Sequence, residues 1–330
     1  MSKPIITIIG LGTTGTSLGL GLQRTPGNFD IVGHDKNPEV NQQARQAGAV
    51  QRAEWNLHRA CEGSELIVLA TPLDQVPDLL GHIAEDLKPT TLLLAISPLL
   101  QPLLNAIKTT LPNHTYAVVG RPVVAALGPL PSPRADLFDG STFALATTDN
   151  TDPAALELAS NFVGRVGATA LFVDALEHDG MMAGVEQLPQ LFSAILMNTN
   201  SRSPSWREAQ RLAGRAFAQT TDVSLNPAGL AESLRTNRAS LLQRIDQLQR
   251  DLARWRELLA TDPPSDGKDA LLEELLAASQ TRITWEGAVT LKHWDVEPPS
   301  PGATEARQGM LRQMLLGGLG GRRGESKNRK

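Results

Sequence analysis

Aromatic residues are scarce in this 330-residue chain: seven Phe, five Trp and one Tyr, 4% of the whole. Platforms that stack single-stranded bases depend on such side chains, so their scarcity argues against one. Charge points the same way. The chain holds 31 basic and 35 acidic residues, a net charge of −4. A phosphate-backbone binder would carry a basic excess. Cys61 is the single cysteine, which excludes an intramolecular disulfide framework and a cysteine-rich zinc site. It agrees with a reducing, cytoplasmic setting. The six histidines are scattered without metal-ligand spacing, and no metal is expected. No run of about 18 uncharged apolar residues is present, so no membrane span is expected. The apolar opening at 5–9 is too short for a secretory leader and reads as a buried strand.

What is present is an ordinary globular balance, 41% hydrophobic, over a length that suggests roughly two domains of about 150 residues. The charge is unevenly spread. Residues 322–330 hold five basic groups and one acidic one, a net +4, so the other 321 residues carry −8. The chain is an acidic body with a basic, Gly-rich end, and 317–330 is expected to be disordered.

The first half alternates strand-like and helix-like runs. Strands are expected at 4–10, 29–35, 66–71, 91–97, 115–119, 142–147 and 169–173. Most are nearly continuous Ile, Val, Leu and Ala, the pattern of strands buried on both faces. Helices are expected between them, among others at 14–24, 38–47, 73–87 and 153–166. This alternation predicts an α/β architecture, a parallel Rossmann-type sheet with helices on both sides.

From Asp174 onward the strand runs vanish. One helix is expected over 178–198. A second is expected over 227–260, capped by Asn226 and started by Pro227. Its apolar seam is Leu234, Leu241, Ile245, Leu248, Leu252, Trp255 and Leu259, with later steps alternating four and three as in a coiled coil. Such a seam suits a partner subunit, with an internal core stripe as the alternative. A third helix is expected at 268–282, a linker at 298–302 and a short helix at 305–316. The expected division is a nucleotide-binding domain over 1–173, an all-α dimerisation domain over 174–297, and a linker with basic tail over 298–330.

The sharpest local motif is Gly10-Leu11-Gly12-Thr13-Thr14-Gly15, placed directly after a strand and opening a helix. Gly10 permits the tight turn, Gly12 lets backbone approach a pyrophosphate, and Gly15 allows close helix packing. The helix start offers N–H groups and partial positive charge to phosphate. Asp35 ends the second strand 20 residues after Gly15, the spacing of an acid that accepts from a ribose 2′-hydroxyl and repels a 2′-phosphate. NAD is therefore the expected cofactor. Thr71 and Pro72, at the end of the next long strand, are expected to line the same crevice.

On these residues, and on Glu177-His178-Asp179 with Leu188-Pro189 after it, the chain resembles the prephenate and arogenate dehydrogenase family. Leu137-Phe138-Asp139-Gly140 and Val166-Gly167-Ala168 agree, and the resemblance covers about residues 4–290. It implies an NAD-dependent oxidoreductase of tyrosine biosynthesis. Such an enzyme transfers hydride from prephenate or arogenate with loss of CO₂, and pairs a nucleotide-binding domain with a helical domain that forms a homodimer.

The substrate side departs from the family. Its Gly-His-Pro motif, whose His meets the substrate ring hydroxyl, reads Gly120-Arg121-Pro122 here. A guanidinium carries donors only and cannot serve as a base near neutral pH. Leu127 stands where the family has Glu. The Asp-Val-Gly-Ser-Val-Lys stretch is Leu94-Ala95-Ile96-Ser97-Pro98-Leu99, so only Ser97 remains. Ser-His-Leu-Pro-His becomes Glu186-Gln187-Leu188-Pro189-Gln190, and Thr-Arg becomes Thr221-Asp222. The substrate-side candidates are Ser97, Arg121, His178 and Asp179. Arg121 would grip a carboxylate or be an exposed or structurally paired arginine, and His178 with Asp179 would act as a relay or cap an interdomain helix. Three readings follow: a dehydrogenase of this family with an altered site, a non-catalytic NAD-binding dimer, and a dehydrogenase for another small carboxylate. None requires nucleic acid or a membrane.

Overall fold

Runs such as Leu66–Leu69 and Leu92–Ile96 contain no residue that could face water without loss, and both are buried at every position. In the computed structural model, which describes residues 3–25, 29–124, 132–222, 226–262 and 269–292, they lie at the centre of an eight-stranded sheet. The strands are β1 (Ile5–Ile9), β2 (Asp30–His34), β3 (Arg52–Ala53), β4 (Leu66–Leu69), β5 (Leu92–Ile96), β6 (Ala117–Pro122), β7 (Thr142–Thr147) and β8 (Thr169–Phe172). Their spatial order is β3-β2-β1-β4-β5-β6-β7-β8. The first six follow the doubly wound order, and the chain reverses direction across the sheet between β1 and β4.

One pair departs from an all-parallel sheet: β7 runs antiparallel to β6, with Arg121 opposite Ala144. No crossover helix is described between these two strands, and an antiparallel neighbour needs none. Strand β3 pairs over two residues only, too few to show a period in sequence.

Helices α1 (Thr13–Gln23), α2 (Pro38–Gln46), α3 (Leu57–Cys61), α4 (Val76–Ile83), α5 (Gln101–Thr110) and α6 (Pro153–Arg165) accompany the sheet. Two apolar layers result. One gathers Leu18, Leu22, Val68, Leu94, Phe138 and Phe162, with α1 and α6 covering the sheet. The other gathers Ile67, Leu69, Leu80, Leu93, Leu103 and Ile107 under α4 and α5. Each fully buried aliphatic side chain is worth roughly 1.5–3 kcal/mol, so these layers fix the strand ends that carry the site.

The chain divides into two compact units, Met1–Asp251 and Leu252–Lys330. In the first, helical structure follows the sheet as α7 (Ala175–Met182), a π turn at Ala183–Gln187, α8 (Leu188–Ser201), α9 (Trp206–Ala209), α10 (Arg215–Thr220), α11 (Pro227–Thr236) and α12 (Arg238–Ala260), whose last turns belong to the second unit. The helix expected over 178–198 is thus one path with a widened turn. Pro189 sits in the first turn of α8 and has no N–H to donate, so the preceding turn loosens. The single helix expected over 227–260 is corrected to two, because Asn237 breaks it. Its side chain is drawn into hydrogen bonds with Asp179 and Gln187. In the second unit α13 (Ala270–Leu291) extends well past the expected end at 282, and Arg254 pairs with Glu274. The expected linker, the 305–316 helix, the basic tail and Leu127 lie outside the described residues.

Candidate active site

At the end of β1 the backbone turns through Gly10, whose φ of +92° lies where side chains are strained. A Cβ at Gly10 would meet Ala70 O at 2.5 Å, and one at Gly15 would meet Gly10 O at 1.9 Å. Both positions hold the turn against β4 and against α1. Gly12 differs: a Cβ there would have nothing within 4 Å, so its freedom is not used for packing. Gly12 also begins α1 without a side-chain cap and without an acid in the first turn. Helices α2, α6 and α7 are capped by Asn37, Asp152 and Asp174. The N–H groups at the α1 start therefore have no side-chain cap, and Gly12 is exposed there.

Asp35 stands beyond β2 with its carboxylate fixed: Oδ2 accepts from Leu11 N at 2.9 Å and Oδ1 from Asn37 N at 2.9 Å. Asn41 locks the Asp35 backbone from both sides. The acid and the glycine turn form one unit. Neighbouring Lys36 donates to Gln75 Oε1 at 3.3 Å.

A cavity of ≈340 Å³ opens across the strand ends where the sheet reverses. It is lined by Thr14, Thr71, Pro72, Ser97, Pro98 and Arg121, among others. Five of the twelve sequence candidates therefore meet in one crevice, the position where doubly wound sheets bind ligands. Thr71 Oγ1 there is buried and has no hydrogen-bond partner among the described residues. A buried hydroxyl without a partner is costly, and a polar ligand group would satisfy it. A larger cavity of ≈1270 Å³ lies at the opposite strand ends, beside Ile6, Leu92, Tyr116 and Phe162. It contains no glycine turn, and the helix starting there, α6, is capped by Asp152. Chemistry, not size, selects the smaller crevice.

On the substrate side, Ser97 is buried and its Oγ accepts from Leu99 N at 3.2 Å, closing the turn after β5. Arg121, at the end of β6, donates from Nη1 to Pro98 O at 3.1 Å. Its Nη2 forms an ion pair with the Glu186 carboxylate, on the π turn.

His178 and Asp179 are each 3% exposed and are absent from the crevice lining. Asp179 accepts from Leu100 N at 2.8 Å and Gln101 N at 3.0 Å, capping α5 from another helix. His178 Nδ1 lies 2.9 Å from Asp179 Oδ1; an ionised carboxylate only accepts, so the ring proton sits on Nδ1. The Asp179 carbonyl accepts from Asn237 Nδ2 at 2.7 Å, Asn237 donates to Gln187 Oε1 at 2.8 Å, and Gln187 donates to Ser233 Oγ at 2.9 Å. Sequence reading singled out neither Asn237 nor Ser233. The one available signal was a polar residue interrupting the seam between Leu234 and Leu241. Among the described residues no cluster of His, Cys, Asp and Glu could hold a metal.

A glycine turn, an acid bound to it and a crevice at the reversal of a doubly wound sheet define a dinucleotide-binding α/β protein with a helical extension. Residues 18–172 match the family described as prephenate dehydrogenase, nucleotide-binding domain, and 174–277 match prephenate dehydrogenase, dimerization domain. The chain belongs to the prephenate dehydrogenase family. The glycine turn itself lies just ahead of the first matched segment. The probable prephenate dehydrogenase NovF of Streptomyces niveus is 30% identical over 266 residues, covering 79% of this chain and 70% of that protein. The prephenate dehydrogenase of Lactococcus lactis subsp. cremoris is 24% identical over 252 residues, covering 75% and 69%. In fold, the chain is similar to prephenate dehydrogenase from A. aeolicus, solved with hydroxyphenyl propionate and NAD+. The TM-score is 0.76 at 19% identity, over 86% of this chain and 99% of that one. Synechocystis arogenate dehydrogenase gives a TM-score of 0.70 at 20% identity, over 85% and 99%.

Proposed function

We propose that the chain is an NAD-dependent oxidoreductase that resembles prephenate and arogenate dehydrogenases and has an altered substrate side. The observation that carries the cofactor is the unpartnered Thr71 hydroxyl, buried in a crevice that also holds the uncapped start of α1. In this reading Gly10, Gly12, Thr13, Thr14 and Gly15 receive the pyrophosphate, Asp35 binds the ribose, and Thr71 and Pro72 flank the nicotinamide. Asp35 disfavours a 2′-phosphate, and Lys36 is engaged with Gln75 and does little to offset it. Bound NAD supplies a hydride acceptor; the protein supplies position and electrostatics.

Ser97 and Arg121 face the substrate in this reading. His178 and Asp179 hold α7 on α5, so they position the crevice wall rather than touch the substrate. Arg121 stands where the family carries its catalytic His, and an arginine cannot take a proton there. The domain division is proposed as 1–173, 174–297 and 298–330. The two family matches, which meet near Asp174, support it. A homodimer through the helical region is proposed from the family description and from exposed Leu176, Met181 and Val185 on α7 and the π turn. Among the described residues no helix is long and apolar enough to cross a membrane, and a cytoplasmic setting is proposed.

A second reading, a non-catalytic NAD-binding dimer, is favoured by one observation: the crevice arginine is already engaged by Glu186. The same observation weakens Arg121 as a clamp for some other carboxylate. Calorimetric titration with NAD and NADP, followed by NADH absorbance with prephenate and with arogenate, decides. Absence of NAD binding would sink both readings. NAD binding with no reduction by either acid would leave the second.

A further inference from the structure

Hydride abstraction from a carbon bearing a hydroxyl is easier when a nearby group takes the hydroxyl proton. The sequence candidates in and around the crevice offer none. Arg121 has donors only, and Ser97 Oγ is buried and bound to Leu99 N. Asp35 has both oxygens committed to backbone N–H groups. Asp179 has both committed to the start of α5, and His178 is buried against it. Glu186 is different. Its side chain is 31% exposed, and one carboxylate oxygen meets the guanidinium of a residue that lines the cavity. Among the described residues no other carboxylate is hydrogen-bonded to a side chain lining that cavity.

The local backbone explains the placement. Glu186 and Gln187 are neighbours on the π turn ahead of Pro189. Gln187 turns inward to Ser233 and Asn237, while Glu186 reaches Arg121. Turns widened in this way recur at functional sites.

We propose that Glu186 is the proton acceptor of the reaction, with Arg121 as the residue that orients its carboxylate. The proposal rests on the dehydrogenase reading above. With a ring-hydroxyl acid of the prephenate type, the C–H bond at the hydroxyl-bearing carbon breaks and its electron pair and hydrogen leave as hydride to the nicotinamide. The ring carboxylate departs as CO₂, and the electron pair of the broken C–C bond enters the ring. The hydroxyl proton passes to Glu186 while these bonds break, and returns to the phenolate oxygen once the ring is aromatic. The substrate is oxidised, the nicotinamide is reduced, and no net proton is released.

The test uses the full chain with NAD and with prephenate and arogenate as probes. Glu186→Gln should lower kcat by about 100-fold or more, with KM and the NAD Kd each within about twofold of the native values. Glu186→Ala should lose activity likewise and regain part of it in formate, which supplies a free carboxylate. The melting temperature of each variant reports folding. A native kcat in either variant overturns the proposal while leaving the dehydrogenase reading intact. A loss that formate leaves unchanged, or one confined to KM, makes the Arg121–Glu186 pair structural and overturns it as well. If the native chain binds NAD but reduces none with either acid, the dehydrogenase reading falls first and the proposal with it.

Discussion

Asp35 Oδ2 accepts the backbone N–H of Leu11 at 2.9 Å, so the acid beyond β2 braces the glycine turn beyond β1. One carboxylate thus shapes the glycine turn and, in the proposed reading, faces the ribose. Hydrogen bonds to a charged acceptor are worth about 1.5–3 kcal/mol. Asp35→Ala should therefore lower the unfolding free energy by about 2 kcal/mol and weaken NAD by at least about tenfold, through lost ribose contact and a loosened turn. Calorimetry on the folded variant measures both losses. Unchanged NAD affinity would remove Asp35 from the site.

Gly12 and Gly10 should separate binding from folding. A side chain at Gly12 has open space in the unliganded protein, whereas one at Gly10 meets Ala70 O and needs a strained φ. Gly12→Val should keep the native melting temperature within about 2 °C and lose most NAD affinity, since the added methyls fill the phosphate's place. Gly10→Val should lose the fold as well. If Gly12→Val binds NAD normally, the pyrophosphate does not sit on this turn.

Thr71 gives the opposite sign for the empty and liganded protein. Its hydroxyl is buried without a partner among the described residues, so Thr71→Val removes an unsatisfied group with little change in shape. The unliganded variant should be as stable as the native chain or more stable by up to about 1–2 kcal/mol. Its NAD affinity should fall by about tenfold, the equivalent of one hydrogen bond. Thermal melts with and without NAD show the crossing. A variant less stable in both states would point to a bound water on Thr71 instead.

The elements legible in sequence are those whose cause is local. Strands β1, β4 and β5 announce themselves as apolar runs, and α2 and α6 as a capping Asn37 or Asp152 followed by proline. The glycine turn and Asp35 share a spacing that the fold requires. What stayed hidden depends on residues far apart in the chain. Asp179 caps α5 across 79 residues, Arg121 reaches Glu186 across 65, and Asn237 leaves its helix for Asp179 across 58. The break at Asn237 is invisible to periodicity, because helix propensity there is overruled by a buried hydrogen bond. Arg121 could be read from sequence either as an anion clamp or as an exposed or structurally paired arginine, and only tertiary packing, which sets Glu186 as its partner, distinguishes them.

Asp179 should be the most costly substitution among the polar candidates. Its carboxylate serves Leu100 N, Gln101 N and His178 Nδ1, all in a buried setting. Asp179→Ala leaves those donors without water or partner, and should destabilise the chain by about 3–5 kcal/mol. Asp179→Asn retains one acceptor oxygen and should cost less. Urea unfolding of both variants measures the difference. A positioning role predicts that activity lost in Asp179→Asn returns when NAD stabilises the fold; a catalytic role predicts that it stays lost.

Cys61 provides a probe of the fold and its pH limit. It is buried under the sheet, and burial first, then nearby Asp86, pushes its thiol from a usual 9.0 up to about 12. The folded protein therefore holds the neutral thiol while the unfolded chain ionises more readily. The resulting stability is fully present below about pH 9 and is lost as pH rises toward about 12. Below that window the native thiol should react with a disulfide reagent only as fast as the structure opens, and at once in concentrated guanidinium. NAD should slow the labelling further in proportion to its affinity. Fast labelling of the native chain at pH 8 would mean that the layer around Ile67, Leu80 and Leu103 opens far more readily than its packing implies.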